Sequence, residues 1–144
     1  MFNRYFKLIS IFIIFILLTS CAGYQEFPVS ERVPSAEIEV VVNQDKYENN
    51  IIKIRTKYLV APERLNPAKG YYVVWVNTQL NGIFNVGRLN SQTSKKSSLH
   101  TLTPYHPVSI FITAEDEPLL TTPKGIEICR IELDAVNDKE VSEE

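Results

Sequence analysis

The side chains that most often carry acid–base chemistry are scarce in this 144-residue chain, which has only two histidines. His100 alternates with Leu99 in a short strand-like pattern, and His106 lies in a proline-rich turn. A hydrolase needs a nucleophile, a base and an orienting group that meet in space, and no Gly-x-Ser-x-Gly motif places a serine for that purpose. We therefore expect no enzymatic activity. An enzyme would require one of these histidines in a cleft beside a serine or an acid.

Metal and phosphate chemistry has little support in the sequence. Residues 115–117 are three consecutive carboxylates, and hard cations prefer oxygen ligands. Consecutive side chains at a strand end point in alternate directions, however, so the pattern is more typical of a solvated acidic strand end. Zinc would need clustered histidines or cysteines, and the five glycines form no phosphate-binding run. We expect no metal and no cofactor.

A basic stripe is the one charged pattern that suggests a binding patch. Lys53, Arg55 and Lys57 alternate along one segment, and Glu37 and Glu39 alternate with the same spacing in the segment before it. If the two segments pair as antiparallel strands, opposite charges face each other across the sheet. We favour this structural interpretation over a site for an acidic ligand.

The N-terminus has the organisation of an export signal. Arg4 and Lys7 precede residues 8–18, which are apolar apart from Ser10. A basic start followed by such a run is typical of a secretory signal, and the run is shorter than the roughly 20 residues that a membrane-spanning helix needs. An uncleaved N-terminal anchor helix is the alternative.

Residues 18–23, Leu-Thr-Ser-Cys-Ala-Gly, resemble the lipobox of bacterial lipoproteins. The resemblance implies that the Cys21 thiol receives a diacylglyceryl group and that a signal peptidase removes residues 1–20. Further acylation, such as palmitate, would complete the anchor, because two acyl chains hold a protein far better than one. The other interpretation is a chance cluster of small residues before an ordinary cysteine. By the rule familiar from enteric bacteria, Ala22 would favour the outer membrane.

Lipidation of Cys21 changes what the remaining chain can do. Residues 1–20 contain two basic and no acidic residues, so the net charge becomes −4 instead of −2. An acidic protein is repelled by nucleic acid, which we exclude as a partner. Cys129 is then left without a disulfide partner. It lies in a strand-like segment, residues 126–133, and we expect it to be a buried, unreactive thiol.

The mature chain reads as one domain. Residues 21–35, with two prolines, predict a lipidated linker; residues 36–135 predict one folded domain; and the charged residues 136–144 predict a disordered tail. Period-two alternation and frequent turn residues predict an all-β, antiparallel, immunoglobulin-like β-sandwich of about seven strands. Those strands are expected around residues 37–42, 52–58, 71–77, 83–89, 98–102, 108–114 and 126–133. Trp75 lies in a run that is apolar on both faces of its strand. We therefore expect its side chain to pack in the core and not to form a surface on which a sugar or a base stacks.

About half of the precursor resembles the extracytoplasmic β-domain of anti-sigma-K factors. The shared pattern is a Tyr-x-x-Trp strand, a glycine-centred strand, a Thr-x-Glu strand end and a Pro-x-Gly turn, found here at residues 72–76, 84–89, 108–116 and 123–125. Residues 33–36 and 65–67 also resemble small bacterial envelope lipoproteins with this domain. The sigma-binding cytoplasmic half of those factors has no counterpart in this chain, so the resemblance implies a fold, a compartment and a generic role in the cell envelope.

These observations lead to a functional hypothesis. We expect a lipid-anchored, non-enzymatic protein on the extracytoplasmic face of a bacterial membrane, which acts as a binding or structural module through contacts with an envelope protein or a wall component. The main alternative is a carrier lipoprotein that holds a small ligand in a pocket between the sheets. A hydrolase is the third possibility.

The first prediction concerns processing. The intact mass of the membrane-extracted protein should correspond to a chain that begins at Cys21 and carries acyl groups, because the lipobox directs both reactions. Cys21→Ala should release the protein from the membrane or leave it unprocessed. Recovery of residues 1–20 on the mature wild-type chain would contradict the lipoprotein interpretation.

Overall fold

The computed structural model describes residues 23–93 and 95–133. The predicted signal peptide (1–20), the predicted lipidation site Cys21 and the predicted tail (136–144) lie outside these residues. Among the residues described, no helix is long and apolar enough to cross a membrane.

The fold is an antiparallel β-sandwich, as the alternation predicts. Its strands are β1 (Gln25–Glu26), β2 (Glu37–Gln44), β3 (Asn50–Lys57), β4 (Tyr71–Thr78), β5 (Gly82–Arg88), β6 (Asn90–Thr93), β7 (Lys96–Thr103), β8 (Pro107–Glu115) and β9 (Ile126–Glu132). The first sheet has the order β1-β2-β3-β7-β6, and the second has the order β5-β4-β8-β9. If β1 is set aside, these are the neighbour relations of an immunoglobulin-like sandwich. All seven predicted strands are present, and β1 and β6 are additional.

The core lies between the sheets and is formed by the apolar members of each alternating pattern. Val40, Ile52, Ile54, Val74 and Ile112 are fully buried there. Strands β4 and β8 are buried on both faces, because segment 116–125 covers the outer face of the second sheet. This explains why both strands read as nearly continuous apolar runs.

The predicted charge pairing between β2 and β3 is confirmed. Glu37 lies opposite Lys57, and Glu39 lies opposite Arg55. The carboxylate–cation distances are 3.0 Å for the first pair and 3.2 Å for the second. The basic stripe is therefore largely part of a cross-strand ladder on the exposed face of the first sheet.

The prediction of a free linker over residues 21–35 is wrong for residues 25–35. β1 pairs with β2, and the Phe27 amide donates to the Ile38 carbonyl at 2.8 Å. Phe27 and Val33 are buried in the core, and the Ser30 hydroxyl donates to the Ile128 carbonyl. Phe27 and Val33 were not predicted as core residues, because prolines and polar residues surround them in the sequence. Only residues 22–24 separate Cys21 from the sandwich.

The two ends of the sandwich differ in character. The short β2–β3, β4–β5 and β7–β8 turns share one end, which we name the turn end: residues 45–49, 79–81 and 104–106. The other end, named the loop end, carries the long connections 27–36, 58–70 and 116–125. Strand β2 runs from the loop end to the turn end, and β1 runs against it. Residues 23 and 24, which precede Gln25, therefore lead toward the turn end.

Candidate functional site

The structure does not bring the two histidines together. His100 is exposed on the outer face of β7, opposite Lys53 of β3, whereas His106 is exposed in the β7–β8 turn. Across residues 23–93 and 95–133, no group of three or more His, Cys, Asp or Glu side chains is arranged to hold a metal ion.

Cys129 lies in β9, on the core side of the second sheet, as a free and buried cysteine. Burial raises the pKa of its thiol to about 12, and nearby Glu127 adds to the effect. Because the thiolate is the reactive form, a thiol with so high a pKa is a poor nucleophile at neutral pH. The prediction of a buried cysteine is confirmed, and its environment disfavours a reactive role.

Trp75 is fully buried, as predicted for a core residue, but it lies on the outer face of the second sheet. Its ring stacks on Phe111 with centroids 6.3 Å apart, and the Arg130 guanidinium lies 4.0 Å from the Phe111 ring centroid. Segment 116–125 covers this layer with Leu120. The ring has no exposed face for a sugar or a base.

A chain of buried hydrogen bonds begins at this tryptophan. The Trp75 indole N–H donates to Thr113 Oγ1 at 2.8 Å, and the Thr113 hydroxyl donates to Glu115 Oε1 at 2.7 Å. The same carboxylate oxygen accepts the Lys124 backbone N–H at 3.1 Å. Gly125 packs so tightly against β8 that a Cβ there would overlap the Ala114 carbonyl. This network fixes the returning half of segment 116–125 to the sheet.

Two findings change the interpretation of the acidic strand end. Glu115 is only 1% exposed, so the prediction of a fully solvated acidic end is wrong for this residue, while Asp116 and Glu117 are exposed. Asn85 also holds the loop, because its amide donates to the carbonyls of Pro118 and Leu120. Side chains and backbone groups from β4, β5, β8 and the end of segment 116–125 thus form the hydrogen bonds that hold this loop.

An open cleft of about 700 Å³ lies at the loop end. Its floor is formed by Leu59, Val60, Tyr72 and Leu89 at the edge of the core. The Tyr72 hydroxyl donates to the Val60 carbonyl at 2.9 Å, and burial raises the pKa of this phenol. The floor is therefore apolar and its polar atoms are satisfied.

The rim of the cleft combines aromatic and cationic side chains. Tyr58 is exposed, and the Arg88 guanidinium lies 5.3 Å from the Tyr71 ring centroid. Arg64 and Lys95 add two further positive charges, and Glu63 is the one acidic side chain that lines the cleft. The side chains that line the cleft thus carry an excess of two positive charges beside aromatic surface, in a protein whose net charge is negative.

Tyr58 adopts an uncommon backbone conformation. Its φ is 55°, a left-handed value that an aromatic residue rarely takes. Such a conformation costs about 1–3 kcal/mol and persists where the surroundings impose it. Its amide donates to the Lys95 carbonyl at 2.9 Å, which ties the start of connection 58–70 to the β6–β7 turn. The residue with the strained backbone is therefore the one whose aromatic side chain is exposed at the rim of the cleft.

Sequence reasoning did not find the cleft, because its rim comes from four segments that are distant in the chain. The available signal was a run of irregular sequence rich in aromatic and basic residues on either side of Pro62.

No family model, curated protein or solved structure matches the chain.

The buried network generates the second prediction. Glu115→Ala should lower the free energy of unfolding by about 2 kcal/mol or more, because the Thr113 hydroxyl and the Lys124 amide lose a buried acceptor. Glu117→Ala, two residues away and exposed, should change it by less than about 0.5 kcal/mol. Urea denaturation of both variants measures the difference. Equal stabilities would show that the network does not hold the loop.

Proposed function

We propose that this protein is a lipid-anchored, non-enzymatic binding module of the bacterial cell envelope, attached through Cys21 and active on the extracytoplasmic face of a membrane. Its partner is an envelope protein or a wall component. If the enteric rule applies to Ala22, that membrane is the outer one. The observation that carries the proposal is the position of the cleft at the end opposite to the one toward which the lipidated N-terminus leaves the sandwich.

This arrangement suits a protein that presents a site to something beyond its own membrane. The strands that connect the two ends are eight or nine residues long in β2, β3, β4, β7 and β8. At about 3.3 Å per residue, eight residues span about 26 Å. A sandwich that stands on its turn end therefore holds the cleft well clear of the lipid headgroups. Attachment also raises the effective concentration of the cleft for partners within its reach.

The side chains of the rim indicate the chemistry of the partner. Arginine pairs with carboxylates and phosphates through a planar set of donors and also stacks on flat groups. Tyr58 and Tyr71 supply amphipathic surface of the type that dominates protein interfaces. A partner that carries a negative group beside an apolar or cyclic group fits this combination.

A small-ligand carrier remains the second candidate, and the cleft is the feature that favours it. The side chains between the sheets, such as Val40, Ile54 and Ile112, are fully buried and pack against one another. A ligand would therefore bind at the loop end and not between the sheets.

The third prediction uses the strained backbone of Tyr58. Tyr58→Gly removes the rim aromatic while glycine accepts the positive φ, so the variant should fold with an equal or higher melting temperature. We expect it to lower the yield of photocross-linking to the partner, from a cross-linking residue at Arg64 in intact cells, by about tenfold. The control is Glu48→Gly, which has the same left-handed backbone (φ 65°) at the turn end and should leave the yield unchanged.

Two outcomes would contradict the proposal. One is an undiminished cross-link at Arg64 in the Tyr58→Gly variant. The other is macromolecular cross-linking from Lys46 at the turn end with none from Arg64. A small molecule that copurifies with the wild type and is lost from Tyr58→Gly, without any macromolecular adduct, would favour the carrier.

A further inference from the structure

We infer that the turn end of the sandwich rests in the headgroup layer of the bilayer that holds the lipid, with three apolar loop tips inserted into it. This inference rests on the proposed lipidation of Cys21. It goes beyond attachment, because it fixes the orientation of the domain and assigns the turn end a lipid surface as its partner.

The three turns of this end each present one large exposed side chain. Leu80 in the β4–β5 turn is 90% exposed, Tyr47 in the β2–β3 turn is 71% exposed, and Tyr105 in the β7–β8 turn is 36% exposed. The Tyr105 ring stacks on Phe84 with centroids 4.5 Å apart, and the Tyr105 carbonyl accepts the Asn50 side-chain amide. Three separate connections thus each present an exposed leucine or tyrosine side chain at the same end.

The length of the tether keeps this end close to the bilayer. Cys21 lies four positions before Gln25, and even a fully extended chain over those four steps reaches only about 14 Å. Gln25 pairs with Val40, and four residues of β2 remain between Val40 and its end at Gln44. At about 3.3 Å per residue, those four residues cover about 13 Å. The lipidated residue can therefore come level with the end of the sheet and hardly farther.

The β2–β3 turn is built to project its aromatic side chain. The Asn49 side-chain amide donates to Asp45 Oδ2, and this bond is the main cause that lowers the pKa of the Asp45 carboxyl. The backbone amides of Asn49 and Tyr47 donate to Asp45 Oδ1 and add to the effect. The acid is therefore engaged within the turn. The Lys46 ammonium lies 4.8 Å from the Tyr47 ring centroid, where it can meet lipid phosphates.

Tyrosine and leucine are suited to this position. Tyrosine is enriched at membrane–water interfaces because its ring is apolar and its hydroxyl stays hydrated. Leucine favours burial in the acyl boundary. The remaining charges in the β2–β3 turn, Asp45, Lys46 and Glu48, nearly cancel, so apolar insertion and the lipid anchor supply the attachment instead of net charge. A second copy of the chain is the competing occupant of such a surface.

The test compares two leucines that are equally exposed, one at the turn end and one on segment 116–125, which covers the outer face of the second sheet. Leu80→Cys and Leu119→Cys, each 90% exposed in the wild type, are labelled with a polarity-sensitive fluorophore in the full lipidated protein. Lipid occupies Cys21 and burial shields Cys129, so the label goes to the new cysteine. The proteins are reconstituted in vesicles of phosphatidylethanolamine and phosphatidylglycerol, with or without lipids that carry a spin label in the headgroup region.

The Leu80 label should be blue-shifted and quenched by the spin-labelled lipid, whereas the Leu119 label should emit as it does in water and remain unquenched. Tyr47→Ser should weaken the quenching at Leu80 several-fold. Equal emission at the two positions overturns the inference. A blue-shifted but unquenched Leu80 label also overturns it, because protein and not lipid would then cover the turn end.

Intact mass separates this inference from the proposed anchor. If the chain carries lipid on Cys21 and both labels lie in water, the orientation is wrong and the anchor stands. If the chain carries no lipid, both fail.

Discussion

The pairing of β4 with β8 imposes the constraint on which the rest of this structure depends, because both faces of these strands are apolar and both must be covered. The first sheet covers the inner face. Within residues 23–93 and 95–133 no third sheet covers the outer face, and segment 116–125 crosses it, held there by Glu115 and Asn85. Such a cover needs a long connection. This connection leaves β8 at the loop end, where connections 27–36 and 58–70 also lie and contribute to the lining of the cleft.

Local patterning was sufficient to predict the seven main strands and the Glu37–Lys57 and Glu39–Arg55 pairs, because alternation and spacing are properties of adjacent residues. Features that depend on distant segments were missed. Phe27 and Val33 are single apolar residues beside prolines and polar residues. Their burial in the core is evident only from the folded sandwich. The burial of Glu115 was missed for the same reason. Its carboxylate accepts hydrogen bonds from the Thr113 hydroxyl and from a backbone amide nine residues later. The cleft was missed because its rim residues meet only in three dimensions.

The linker is shorter than the sequence predicts, and this changes the expected orientation of the domain relative to the membrane. A tether over residues 21–35 would let the domain sample many orientations above the membrane, with no distinction between its two ends. In the orientation that we propose, a tether limited to residues 22–24 would hold the turn end close to the lipid, and the exposed Tyr47 and Leu80 would contact the bilayer. The same geometry directs the aromatic and cationic rim around Tyr58 outward. The pairing of β1 with β2, which shortens the linker, therefore relates the proposed anchor to the orientation of the domain and to the candidate binding site.

The central claim is that the sandwich stands upright on its turn end, and neutron reflectometry of the lipidated protein on a supported bilayer tests it most directly. We predict a protein layer that begins within the headgroups, continues without an intervening water layer and extends outward by at least the roughly 26 Å of an eight-residue strand. A water layer between headgroups and protein, or a thin layer produced by a domain lying on the face of one sheet, would contradict the account.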